Sequence, residues 1–334
     1  MTEERPDQGF LTTAGETIGF RSDLPAVAHV LREAASASLG LPRKPSIRVV
    51  VEDGRHSFPT KGWRSLARDA WELDGEVVVR DVCTAGFDLW LRIENAIPTF
   101  TYRRRPPLRT RALASADRSR ALLLTRSALI SYPAMWWAAT KGVAPLHAGG
   151  VDSNGNRPLI VGPSGAGKTT VAIRTAAAGG KVVSDNVVVG DGNRVWGVVE
   201  PMRSEGGTGR AMPHGRRESP LPNRVDSLAP DRIVILRQGP ETRVRATSAE
   251  HAAKWLVAST YAAGELRRFW PFAATLALGT GIGPSHPPVA AIAGAFARSL
   301  PCLEVELASA LDADLGAVLE RWEQPAWTLS SSQV

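Results

Sequence analysis

The stretch that most restricts this chain is residues 159–169, LIVGPSGAGKT. An apolar run, Leu159, Ile160 and Val161, is followed by Gly162, four residues, Gly167, Lys168 and Thr169, with Thr170 next. That spacing is the P-loop pattern, in which a glycine-rich turn between a strand and a helix cradles phosphate. The residue types suit the chemistry. Gly162, Gly165 and Gly167 reach backbone angles that other residues resist, and Pro163, Ser164 and Ala166 complete a turn whose N–H groups can face an anion. Lys168 brings a cation to the β- and γ-phosphates, and the Thr169 hydroxyl is a Mg²⁺ ligand. Residues 169–178 predict a helix ended by Gly179 and Gly180, which puts the anion at a helix N-terminus. A chain built around this unit is α/β.

The 334 residues, 43% hydrophobic and 22% charged, have room for two domains or one large one. A formal charge of +7 suggests acidic ligands such as nucleotides. It is too small and scattered to require nucleic acid, and the arginines lack aromatic interleaving or a reader motif. Cys83 and Cys302 have no metal or redox spacing, which points to a reducing cytosol. The polar start MTEERPDQGF has no signal core, and glycines and prolines break the Ala-rich residues 276–297. The expectation is a cytoplasmic protein without a membrane span.

Residues 1–24 read as poorly ordered, and 24–39 as an amphipathic helix with Asp23 as its cap and Gly40 at its end. From residue 47 to about 102 the texture is β, and the charged run from Arg103 to Arg111 reads as a linker. Residues 1–115 therefore form an N-terminal β-rich α+β region, and 116–334 the nucleotide-binding unit. Residues 118–140 predict a helix that Pro133 kinks or divides. Residues 145–151 read as one strand, followed by a turn at 152–156 that delivers the strand before the glycines. Further strands are expected at 181–186, 187–189, 194–199, 231–237 and 303–307, with helices at 248–262 and 289–299. Residues 203–224, rich in Gly, Pro and Arg, read as a long mobile loop. Such a loop either closes over a nucleotide or acidic substrate, with Arg203 and Arg224 reaching phosphate, or is simply solvated. Trp90, Trp136 and Trp137 are expected in the core or in domain contacts, and residues 328–334 to fray.

Three features flank the glycine loop: His147 in LHAGGV, Asp185 and Asn186 in KVVSDN, and Glu200 in WGVVEPMR. Together with VGPSGAGKTT they resemble, over about residues 140–310, the C-terminal kinase domain of the HPr kinase/phosphorylase family. The resemblance implies a core related to phosphoenolpyruvate carboxykinase and an ATP- and Mg²⁺-dependent transfer of a phosphoryl group to a hydroxyl. It implies that Lys168 holds the transferring phosphate and Thr169 the Mg²⁺. Asp185 takes the acceptor's proton or binds metal, His147 sits beside it, and Glu200 is a second metal or orienting carboxylate. Where the family has a second acid, this chain has Asn186, whose amide can offer oxygen to Mg²⁺ but cannot act as a base. The expected acceptor is a small molecule, peptide or protein, as for a biosynthetic tailoring enzyme, and the resemblance admits a homo-oligomer. The alternative is a nucleotide-binding regulatory or scaffold protein that has lost transfer.

Overall fold

A computed structural model describes residues 9–36, 44–54, 56–205, 209–212, 215–308 and 315–323. The expectations for residues 1–8, Gly40 and residues 328–334 lie outside these. The chain is mixed α/β with several sheets.

The sheet that carries the glycine loop has six strands, in the order Lys181–Ser184, Gly149–Asp152, Pro158–Val161, Arg232–Gln238, Cys302–Leu307 and Arg243–Ala246. Four of them run the same way, while Gly149–Asp152 and Arg243–Ala246 run against them. Both faces are covered at its centre, which is why Pro158–Val161 and residues 233–236 are continuously apolar. Leu159, Val161, Ile233 and Ile235 pack on one face against Leu256 of helix Ala249–Ala262 and Phe296 of helix Val289–Ser299. Ile160, Val182 and Val234 face the other way, onto Val171 and Ala172 of helix Lys168–Ala177 and Leu319 of helix Leu315–Glu323. The hairpin into Pro158–Val161 turns at Asn154 and Gly155, both at positive φ, as expected for a tight turn.

An eight-stranded sheet lies earlier in the chain, from Gly9–Thr13 at one edge to Arg64–Ala67 at the other. In Ile47–Glu52 buried and half-buried residues alternate, a one-sided pattern. Its core also takes Trp136 and Leu129 from the helical segment before the glycine loop, and Phe269 and Leu276 from helix Phe269–Thr280, a helix that sequence reading missed. Trp136 is buried, with Trp90 and Trp137 half-buried.

Several expectations need correction. Residues 9–22 are a hairpin, Gly9–Thr13 with Glu16–Ser22, closed by Ala14 and Gly15 at positive φ. Its tip docks on Gly197, whose carbonyl accepts from the Ala14 N–H at 2.9 Å. Helix Pro25–Ser36 follows Leu24, whose N–H donates to the Ser22 hydroxyl at 3.2 Å. Arg103 and Arg104 belong to strand Ile97–Arg104, and Arg103 is paired with Glu52 at 2.9 Å. The strand ends at Arg104, and helix Leu108–Ala116 begins after Pro106 and Pro107. Pro133 falls in the first turn of helix Tyr132–Ala139, divided from helix Arg118–Arg126 by a π-turn over Ser127–Ser131. Residues 145–151 are two strands in different sheets, Ala144–Leu146 and Gly149–Asp152. Residues 203–224 contain the three-stranded sheet Met202–Glu205, Arg216–Ser219 and Arg210–Ala211. That sheet is pinned by distant partners: buried Glu218 accepts from Arg126 at 2.9 Å, a contact that local composition cannot reveal.

Candidate functional site

The four strands that run the same way end at one sheet edge, and the residues after them converge there. Gly162 follows Val161, Asp185 follows Ser184, Gln238 ends its strand, and Ala308 follows Leu307. Strand Gly149–Asp152 starts at the same edge, with His147 just before it. All five residues border a single cleft of about 1160 Å³. This is where an open α/β sheet places its ligands.

The glycine loop is shaped by its neighbours. A Cβ on Gly162 would lie 2.4 Å from the Leu236 carbonyl oxygen, so only glycine lets the loop leave the sheet this closely. Gly167 caps helix Lys168–Ala177 at φ 101. The Val171 N–H is the first of that helix to find its backbone acceptor, Gly167 O at 2.9 Å. The N–H groups of Lys168, Thr169 and Thr170 precede it, as donors for an anion at the helix start. Lys168 is buried and its ammonium donates to Gly162 O at 2.8 Å and Pro163 O at 3.3 Å, so it bridges the loop mouth. Burial lowers its pKa, while Asp185 and Glu265 pull it upward. Gln238 donates to Gly165 O at 3.0 Å and steadies the loop from the next strand. Pro163, Ser164, Ala166 and Thr170 also border the cleft.

Across the loop, the Thr169 hydroxyl donates to Asp185 Oδ2 at 2.7 Å. Asp185 is buried, and burial raises its pKa against the pull of Thr169, Arg203 and Lys168. A carboxylate beside a hydroxyl, next to a phosphate cradle, suits a divalent cation that keeps several waters and takes one or two carboxylates. Among the described residues no cluster of three or more His, Cys, Asp or Glu offers a closed metal cage. Asn186 donates to Glu200 Oε2 at 2.8 Å. Burial raises the Glu200 pKa, with Arg203 and Asn186 opposing it. Glu200 thus holds Asn186, which borders the cleft.

His147 borders the cleft with Nδ1 3.2 Å from the Ser259 carbonyl oxygen. Burial and then Lys168 lower its pKa, with Glu265 acting the other way. Arg203 also borders the cleft, 3.4 Å from Glu265 and 3.7 Å from Glu218. Arg224, expected at phosphate, is elsewhere: it is spent on Asp226 at 3.2 Å and the Thr12 carbonyl at 3.2 Å, tying the N-terminal hairpin to the body. Sequence reading missed Arg174, Gln238, Ser259 and Glu265 on the cleft wall. Gln238 had a signal, since it ends an apolar strand; Glu265 had none beyond following a helix.

Compared with known proteins, the chain matches no family model and no curated sequence. No helix among the described residues is long and apolar enough to cross a membrane.

Proposed function

We propose that this chain is an ATP- and Mg²⁺-dependent phosphotransferase with a core of the HPr kinase/phosphoenolpyruvate carboxykinase type, acting on a hydroxyl of a small molecule, peptide or protein. The observation that carries the reading is the 2.7 Å hydrogen bond from Thr169 to Asp185 at the mouth of the glycine loop. It brings a hydroxyl and a carboxylate together where a phosphate-bound Mg²⁺ needs both. The loop N–H groups and Lys168 hold the phosphates. Thr169 and Asp185 hold the metal, whose charge neutralises the phosphates during transfer. His147 and Asp185 border the cleft and can accept a hydroxyl proton, and Arg203 borders it as a cation for transferring charge. A cleft of about 1160 Å³ exceeds the usual small-molecule pocket of roughly 300–1,000 Å³, leaving room for nucleotide and acceptor together. On this reading the protein works in the cytoplasm, and residues 1–115 contribute acceptor or partner recognition.

One observation favours a second reading. Where the resemblance expects an acid, Asn186 has its amide committed to Glu200 at 2.8 Å. A site with one carboxylate fewer fits a nucleotide-binding regulatory protein that no longer transfers.

Calorimetry and phosphate release with Mg²⁺ on the wild type, Lys168→Ala and Asp185→Asn separate the readings. The kinase reading expects ATP binding that Lys168→Ala loses, and turnover that Asp185→Asn loses while still binding. Equal binding by wild type and Asp185→Asn, with no turnover on any hydroxyl acceptor, selects the regulatory reading. A wild type that binds no nucleotide ends both.

A further inference from the structure

Helix Leu108–Ala116 buries none of its residues. It is held to the body through Thr110, whose hydroxyl donates to Asp81 at 3.0 Å, and through the following helix Arg118–Arg126. A helix with nothing to bury is ordinarily polar all round. This one leaves Leu108 81% and Leu113 53% exposed. Arg109, Arg111, Arg118 and Arg120 are exposed beside them and form no ion pair among the described residues. Of the nearby arginines, Arg103, Arg105 and Arg126 are paired, whereas Arg104 is exposed and, like these four, has no ion pair among the described residues. The lone acid in residues 106–126, Asp117, is used as a helix cap, accepting from the Arg120 N–H at 2.9 Å.

We infer that this helix pair is a docking surface for an acidic polypeptide segment bearing aliphatic side chains. Arg109 and Leu113 are four residues apart and share one helix face, so a carboxylate and an alkyl group on the partner can be met together. The surface adjoins the cleft wall. Ser119 donates to the Ala211 carbonyl at 3.2 Å, and strand Arg210–Ala211 pairs with Arg216–Ser219, whose Arg216 borders the cleft. Single-stranded nucleic acid would use stacking aromatics, and residues 106–126 contain none. A lipid surface would need an apolar stripe, whereas Leu108 and Leu113 stand about 140° apart around the helix axis.

The test is fluorescence anisotropy of the full chain, without nucleotide, against a labelled glutamate–leucine peptide. Polyglutamate, a DNA duplex and phosphatidylserine-containing vesicles serve as comparisons. The expected result is binding of the glutamate–leucine peptide that weakens with salt, and weakens about tenfold in Arg109→Glu/Arg111→Glu. Leu113→Ser should also weaken it while leaving the salt dependence as it was. Both variants should unfold at the wild-type denaturant midpoint, because the helix contributes nothing to the core. Unchanged peptide binding in the arginine variant overturns the inference. So does polyglutamate binding equally well with no effect of the leucine variant, or tighter binding of DNA or vesicles through the same arginines. Because nucleotide is absent, the result is independent of the role assigned to the glycine loop.

Discussion

Thr169 Oγ1 and Asp185 Oδ2 are 2.7 Å apart, although they follow two strands separated in the sheet by a third. That intervening strand opens with Gly149 and Gly150, and a Cβ on Gly149 would lie 3.1 Å from the Ser184 carbonyl oxygen. Small residues between the two strand ends thus bring the hydroxyl and the carboxylate together. If the pair holds Mg²⁺, Thr169→Val keeps the shape and removes the ligand. It should bind ATP as well as wild type in the absence of Mg²⁺. The tightening that Mg²⁺ brings should fall about 10–100-fold, the range seen when even a supporting partner of a metal ligand is lost. Calorimetry with and without Mg²⁺ decides, and an unchanged metal effect would place the cation elsewhere.

Glu200 gives a prediction with a defined sign. Burial raises its pKa, so the folded chain holds that proton more tightly than the unfolded chain does. Its contribution to stability is therefore present at low pH and is lost as pH rises through the folded pKa. Above that pKa the ionised side chain costs stability, offset in part by Arg203 and Asn186. Glu200→Gln keeps an acceptor for Asn186 and removes the charge. Its melting temperature should exceed that of wild type by on the order of 2–4 °C at neutral pH. The gap should close in acid. A lower melting temperature at neutral pH would show that the charged bond to Asn186 outweighs desolvation.

The glycine loop, its strand and helix, and the strand ending at Asp185 were legible because each is local. Apolar runs, glycines and an acid stand in order along the sequence, and the six-stranded sheet then carries them to one edge. What joins distant segments was not legible. The three-stranded sheet around Arg203 was read as a loop because its composition is that of a loop. Its order comes from Arg126, which lies 92 residues from Glu218. The hairpin at Gly9–Thr13 was missed because Ala14 takes a positive φ that sequence rules reserve for Gly, Asn and Asp. Arg224 was misplaced for the opposite reason: its nearness in sequence to the mobile-looking loop hid its commitment to Asp226 and Thr12.

Two loop glycines should fail differently when given a side chain. Gly162→Ala sets a methyl against the Leu236 backbone, which cannot move without parting the sheet. The expected destabilisation is about 1–3 kcal/mol, as for overpacking. Gly165→Ala meets open space but must hold φ +83, at about 1–2 kcal/mol. Urea unfolding measures both. The sharper contrast is in ligand affinity: Gly162→Ala also displaces the carbonyl that Lys168 holds, and so should weaken nucleotide binding out of proportion to its stability loss. Equal affinities for the two variants would mean that the Gly162 contact is packing alone.

His147 carries the prediction about proton transfer. Its Nδ1 faces the Ser259 carbonyl at 3.2 Å, and a carbonyl can only accept, so this contact favours the neutral ring with its proton on Nδ1, while the Asn186 side chain also hydrogen-bonds the ring. Burial, with Lys168 adding to it, lowers the ring's pKa and makes this neutral form dominant at physiological pH. If Nε2 receives the acceptor's hydroxyl hydrogen, turnover is flat near neutrality. It then falls as pH drops through a pKa below the ordinary histidine value of about 6.5. Asp185 also titrates on the acid side, raised by burial, so one profile cannot separate the two. His147→Gln can. It should cut kcat by about 10²-fold and remove the histidine limb, leaving only the carboxylate's. If His147→Gln keeps both the rate and the shape of the profile, Asp185 alone receives the proton and His147 is wall.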